Sequence, residues 1–247
     1  MLPVIQIGPL SIPTVPFLWF IGFWLFAETS EKVARASSLD AKVVGTLIYQ
    51  AGGIGLIGAR LGYLFQYPLI FLATPLSIVS PRPNLFSLEG GILFGVLGLV
   101  VLAQKKKIAL LKLLDVLSPG LAFWMAMIGL AWQAGGENPG IPANIFWGIP
   151  FLGEIRHPVN LYWSLGFMII GFYALKTSHQ VDEPGDIGLG LIVLGALVFI
   201  ITSLFRVDGF IEEYNWKRAA SLMFLCLASL AVYLRSRKPR GDMVSPS

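Results

Sequence analysis

VVGTLIYQAGGIGLIGARLGYLFQY, residues 43–67, decides the fold class of this chain. Its only charge in 25 residues is Arg60. About 20 residues of helix cross a hydrocarbon core, so this block is long enough to span one. Five of its six glycines, at 52, 53, 55, 58 and 62, fall within eleven residues and would weaken a soluble helix, but membrane helices tolerate them and use them for close approach.

The same pattern recurs on both sides. Apolar blocks fall at about 14–27, 88–103, 113–134, 160–175, 187–205 and 218–234, which with 43–67 makes seven. Of the 247 residues, 55% are hydrophobic and 13% are charged, against roughly a quarter charged in a soluble domain. The expectation is an all-α polytopic membrane protein of seven transmembrane helices, forming one domain over residues 1–247. No cleavable signal peptide is expected, because the opening residues lack a basic stretch before the first apolar block.

Lysine and arginine set the expected orientation. Loops 28–42, 104–112 and 176–186 and the tail 235–247 hold twelve basic residues, and the parts between the other helix ends hold five. This asymmetry predicts the N-terminus outside and the C-terminus inside. The net charge of +4 is read as part of it, not as a nucleic-acid footprint, so no nucleic-acid partner is expected. Two histidines and one cysteine, Cys226, give no metal-ligand spacing, and neither metal nor cofactor is expected.

Arg60 is the strongest functional clue. An arginine inside a membrane helix must face the bundle interior or reach to a surface. Glu89, followed by Gly90 and Gly91, falls at the same expected level of the next helix. Two readings stay open and are compatible: an anion site for a lipid phosphate, or a structural Arg60–Glu89 pair. His157 precedes Pro158, Asn160 and Tyr162 at the start of helix five. A histidine there is either a hydrogen-bonding end group or a catalytic base, and Asn160 is a candidate cap. The stretch GGENPGIPANIFWGIPFLGEIRHP, 135–158, reads as an ordered cap or interfacial arm, with Phe146, Trp147 and Phe151 as headgroup-level anchors.

Several of these stretches together resemble the bacterial prolipoprotein diacylglyceryl transferase family. IQIGPL (5–10) resembles its start, and GLIGARLGYLFQYP (55–68) its Gly-Arg-(Ile/Leu)-Gly-Tyr region. LEGGILFG (88–95) is similar to its Trp-Asp-Gly-Gly-Met-Ser-Phe-His-Gly-Gly element, and RHPVNLYW (156–163) to its Arg-His-Pro-x-x-Leu-Tyr-Glu element. The resemblance implies an enzyme of the bacterial inner membrane. Such an enzyme transfers the diacylglyceryl group of phosphatidylglycerol to the lipobox cysteine of a preprolipoprotein and releases glycerol phosphate. It implies His157 as the catalytic residue, with Arg60, Glu89, Gly90, Gly91, Asn160 and Tyr162 as substrate-binding residues.

Other positions depart from the family pattern. Gly95 stands where the family has a histidine, and Met127 and Leu130 where its Gly-Arg-x-Gly-Asn signature has arginine and asparagine. Leu194, Val198 and Thr202 occupy its helix-six tyrosine, arginine and glutamate positions, and Trp163 its helix-five glutamate. The alternative expectation is therefore a non-catalytic membrane protein that binds lipid or a lipoprotein. A small transporter is disfavoured, since the chain shows no two-fold repeat of broken helices.

Overall fold

A computed structural model describes residues 4–73, 85–178, 183–207 and 222–223. The chain divides into two compact units, one of Met1–Phe26 with Leu117–Ser247 and one of Ala27–Val116.

In the Ala27–Val116 unit, helices α2 (Ala41–Gln66) and α4 (Leu88–Lys105) pack along each other, with a short helix α3 (Pro68–Ala73) after α2. Asp40 caps α2 by accepting from the Lys42 amide at 2.8 Å, and Ser87 caps α4 by accepting from the Gly90 amide at 3.2 Å. The glycines decide how closely the two helices meet. A Cβ on Gly90 would lie 2.6 Å from the Gly58 carbonyl oxygen and 2.9 Å from Gly62 Cα, so these backbones touch directly. Further along, Gly95 lies against Gly55 and Ala51, and Gly58 receives the Phe94 side chain. In a bilayer, where burial drives no association between helices, such close contact supplies the attraction.

The other unit opens on a hairpin, β1 (Val4–Ile7) with β2 (Leu10–Pro13), turning at Gly8 with φ of 60°. Helix α1 (Thr14–Arg35) follows directly, its residues up to Phe26 belonging to this unit. Helix α5 (Leu110–Gly135) from Leu117 onward, α6 (Val159–Thr177) and α7 (Asp186–Ser203) supply the rest, with a second hairpin, β3 (Ile149–Phe151) and β4 (Glu154–Arg156), between α5 and α6. Its core joins Ala122 and Ala126 to Phe167 and Ile170, and Trp163, Leu194 and Val198 pack against them. Midway along α5, Trp124 stacks on Phe26 at 5.6 Å and meets Phe23 edge-on at 5.3 Å.

The expectation of seven spans with an outside N-terminus is corrected here. The described residues hold six long helices, and four of them, α2, α4, α5 and α7, combine the length and apolarity of a membrane crossing. α1 falls short because its apolar stretch ends at Ala27. Its last turns carry Glu28, Glu31, Lys32 and Arg35, with Arg35 3.5 Å from Glu28 and 3.9 Å from Glu31. α6 is diluted by Asn160, Tyr162, Trp163 and Ser164 in its first turns. The segment expected at about 218–234 lies outside the described residues except for 222–223. The chain is a multi-pass membrane protein.

Gly90→Ala is expected to destabilise the protein by about 1–3 kcal/mol through overpacking against α2. Gly53→Ala, whose added Cβ would meet nothing within 4 Å, is the matched control and should not lower the thermal midpoint in detergent. Equal midpoints for the two variants would refute the direct α2–α4 contact.

Candidate functional site

The polar residues singled out in the sequence gather into two clusters, one in each unit. In the Ala27–Val116 unit, the Ser87 amide donates to the Ala59 carbonyl at 2.8 Å, which sets the start of α4 beside Arg60 on α2. The Arg60 guanidinium donates from Nη1 to the Leu85 carbonyl at 2.9 Å and lies 4.9 Å from the centre of the Phe86 ring. A backbone oxygen and an aromatic face thus help hold a half-buried charge. Glu89 is exposed, and its Oε2 accepts from the Ser87 hydroxyl at 2.9 Å. That hydroxyl also accepts from Gln66 at 3.2 Å, making Ser87 a junction of α2 and α4. Gly90 and Gly91 are helix-packing residues: a Cβ on Gly91 would lie 3.2 Å from Ala59 Cβ.

The second cluster surrounds His157. After α5 the chain turns through Gly136 (φ 76°) and Asn138 (φ 53°) into an extended strip, 139–143. This strip is bonded on two sides. Ile141 donates to the Phe205 carbonyl and Val207 to the Pro139 carbonyl, at 2.8 and 3.1 Å. His157 donates to the Ile141 carbonyl and Ala143 to the Ile155 carbonyl, at 3.1 and 2.9 Å. Gly140 is needed here because a Cβ would run into the His157 carbonyl. The end of α7 and the start of α6 are therefore stitched together through one strip.

Within that frame, His157 Nδ1 lies 3.1 Å from the Tyr162 hydroxyl, which also accepts from the Trp147 indole at 2.6 Å. The imidazole packs 4.9 Å from the Phe205 ring. Nδ1 is thereby engaged, while Nε2 makes no hydrogen bond among the described residues. Asn160 is not the helix cap: Pro158 holds that position without a side-chain bond. Asn160 is 6% exposed and donates to the Glu137 carbonyl at 2.7 Å, pinning the first turn of α6 to the end of the α5 loop.

Sequence reasoning gave Arg156 no role of its own, although it adjoins His157. Its Nη1 donates to the Gly140 carbonyl at 3.1 Å, its Nη2 pairs with Glu154 at 2.6 Å, and its Nε is buried without a partner. Arg206 donates to the Asn138 side-chain oxygen on the other side of Gly140. A shallow, open depression enclosing about 20 Å³ is lined by Arg156, His157, Asn160, Glu137 and Asn138 among others. That is room for about one water molecule, so the depression marks where these groups meet and is not a preformed ligand cavity. Trp147, taken from the sequence only as an anchor, turns out to touch the Tyr162–His157 pair. No local pattern signals that, since it depends on how the 135–158 stretch folds.

Several departures from the family pattern lie in packed surroundings. Leu194 and Val198 pack against the α5–α6 core, with Val198 over Gly166. Met127 meets Gly22, and Thr202 is 4% exposed and donates to the Val198 carbonyl at 2.7 Å. The Trp163 indole donates to the Met125 carbonyl at 2.9 Å.

Comparison with known proteins places these features in context. Residues 3–234 match the family model described as prolipoprotein diacylglyceryl transferase. A phosphatidylglycerol–prolipoprotein diacylglyceryl transferase of Bordetella parapertussis is 28% identical over 218 residues, covering 84% of this chain and 83% of that protein. One from Solidesulfovibrio magneticus is 30% identical over 249 residues, covering 95% and 93%. One from Polynucleobacter asymbioticus is 34% identical over 152 residues, covering 59% and 58%.

Asn160→Ala is expected to cost about 1–3 kcal/mol, because it strands the Glu137 carbonyl. The loss should appear as a lower thermal midpoint and faster amide exchange in the first turn of α6. Unchanged exchange there would show that the Asn160 bond does not fasten the strip.

Proposed function

Because this chain belongs to the prolipoprotein diacylglyceryl transferase family, we propose that it is a phosphatidylglycerol–prolipoprotein diacylglyceryl transferase-like protein of the inner membrane. In the reaction, the lipobox cysteine sulfur bonds to the terminal glyceryl carbon of the lipid. The carbon–oxygen bond to phosphate breaks, and glycerol phosphate leaves with the electron pair. The thiol proton needs an acceptor, and the leaving phosphate needs positive charge.

The observation that carries this reading is the depression at the ends of α5 and α6, where Arg156 and His157 stand side by side. His157 holds one ring nitrogen on Tyr162, and among the described residues the other has no bond, as a proton acceptor requires. Arg156 supplies the cation, and Asn160 fixes the helix turn behind it. Arg60 is the corresponding cation of the α2–α4 pair.

A second reading, lipid binding without transfer, has its own support. Leu194 and Val198 fill a packed core, and Gly95 lies 3.6 Å, measured from an added Cβ, from the Ala51 carbonyl and Gly55 Cα. Polar side chains at those places would have to displace helix packing.

The test is mass spectrometry of a lipobox peptide incubated with the protein and phosphatidylglycerol in nanodiscs. Diacylglyceryl mass on cysteine is expected, with a loss of about 10²–10⁴-fold in His157→Ala. Arg156→Ala and Arg60→Ala should also reduce it. No product under conditions where the Bordetella relative is active, with phosphatidylglycerol still bound, would establish the second reading.

A further inference from the structure

The β3–β4 hairpin carries an apolar residue where its backbone disfavours one. Leu152 and Gly153 form the two-residue link between Phe151 and Glu154, with φ of 51° and 83°. Two successive positive φ angles are the type I′ pattern, which favours asparagine, aspartate or glycine at the first position. Leucine there is unfavourable, because its Cβ crowds the backbone. No packing of the side chain among the described residues compensates, since Leu152 is 80% exposed.

A second exposed apolar turn lies on the same loop. Phe146 is 95% exposed and packs edge-on against Trp147 at 4.5 Å. Gly148 lets this turn close onto Ile155 of β4, because a Cβ there would overlap the Ile155 side chain. Phe146, Trp147, Leu152 and Ile155 all lie on the loop, so their exposure differs in kind from that of the lipid-facing flanks of the helices. Phe151, expected as an anchor, is half-buried and lines the depression instead. The charges nearest this edge, Glu154 and Arg156, neutralise each other in an ion pair at 2.6 Å.

We propose that these two turns form a wedge seated in the lipid headgroup and upper acyl region of the bilayer, with Phe146 and Leu152 as its leading side chains. The occupant of the apolar face is the lipid surface because the face is continuous with it. The loop starts where α5 ends, and its strip is bonded to the residues just after α7, both helices of membrane-crossing length. The strip therefore lies where helices leave the hydrocarbon, the level favoured by tryptophan and other amphipathic aromatics. The strained leucine has a function there that asparagine would not supply. Through Trp147 the wedge also reaches the Tyr162–His157 pair, so its seating bears on how the imidazole is held. This holds whether or not the protein transfers a diacylglyceryl group.

The test uses the full chain with Cys226→Ser, which removes its one cysteine. Single cysteines replacing Leu152, Phe146 and, as an exposed control on the same loop, Asn144 are labelled with an environment-sensitive fluorophore in phosphatidylglycerol–phosphatidylethanolamine nanodiscs. Labels at 152 and 146 should be blue-shifted and quenched severalfold more than the label at 144 by lipids bearing a spin label near the headgroup. Aqueous iodide should give the reverse order. Leu152→Asn in the Phe146→Cys background should raise the thermal midpoint, as the turn relaxes, while weakening lipid quenching at 146. Equal iodide quenching at all three positions would overturn the wedge. So would shielding of 152 and 146 from iodide and lipid quencher alike, which would mean that protein covers the face.

Discussion

A backbone amide that leaves a helix loses its helical partner and must find another, and the site-bearing unit depends on how the 139–143 strip does so. The strip is met from two sides, giving and taking bonds with 155–157 and with 205–207. Everything of chemical interest in that unit hangs on this pairing. It orients the peptide of His157, brings Arg156 and Arg206 to either side of Gly140, and leaves Asn160 within reach of the Glu137 carbonyl. Gly140 is the residue that permits it, since any side chain would separate the strip from His157.

The second unit answers a related problem with different means. α2 and α4 gain nothing from excluding water, so they approach until glycine backbones touch, and Arg60 is accommodated at the end of that contact. Its charge is met by a carbonyl and an aromatic ring, both from the two residues just before the Ser87 cap. The cap and the arginine site are thus one construction: the Ser87 amide on Ala59 fixes the chain that receives the guanidinium.

Much of the helical layout was legible in the sequence. Blocks expected at 43–67, 88–103 and 160–175 became Ala41–Gln66, Leu88–Lys105 and Val159–Thr177, because long apolar runs ending at charges leave little freedom for helix ends. α1 ran further than expected, to Arg35, since its charged last turns form a ladder that composition alone reads as loop. The number of crossings was over-read for the same reason, length being judged separately from the polar residues that share the helix. Both hairpins escaped notice, as strands of three or four residues show too short an alternation to stand out. Arg60, Glu89, His157 and Tyr162 could be picked out singly, by charge in an apolar run or by motif. Their partners Leu85, Ser87 and Trp147 could not, because those contacts exist only once loops have folded.

The apolar substitutions at Leu194 and Val198 have a consequence for where charge can act. With those positions packed against Phe167 and Ile170, the described arginines of this unit, Arg156 and Arg206, lie on the loop and just after α7, not along it. Arg156, its side chain 17% exposed, sits in an open depression and already shares its charge with Glu154. A partly exposed ion pair contributes only about 0–1 kcal/mol net, because water screens the charges. A cation so placed would hold an anion less firmly than one enclosed among helices. Any transfer run there depends correspondingly more on exact placement of the sulfur and of His157, which is the part of the site that the strip, Asn160 and Tyr162 hold most firmly.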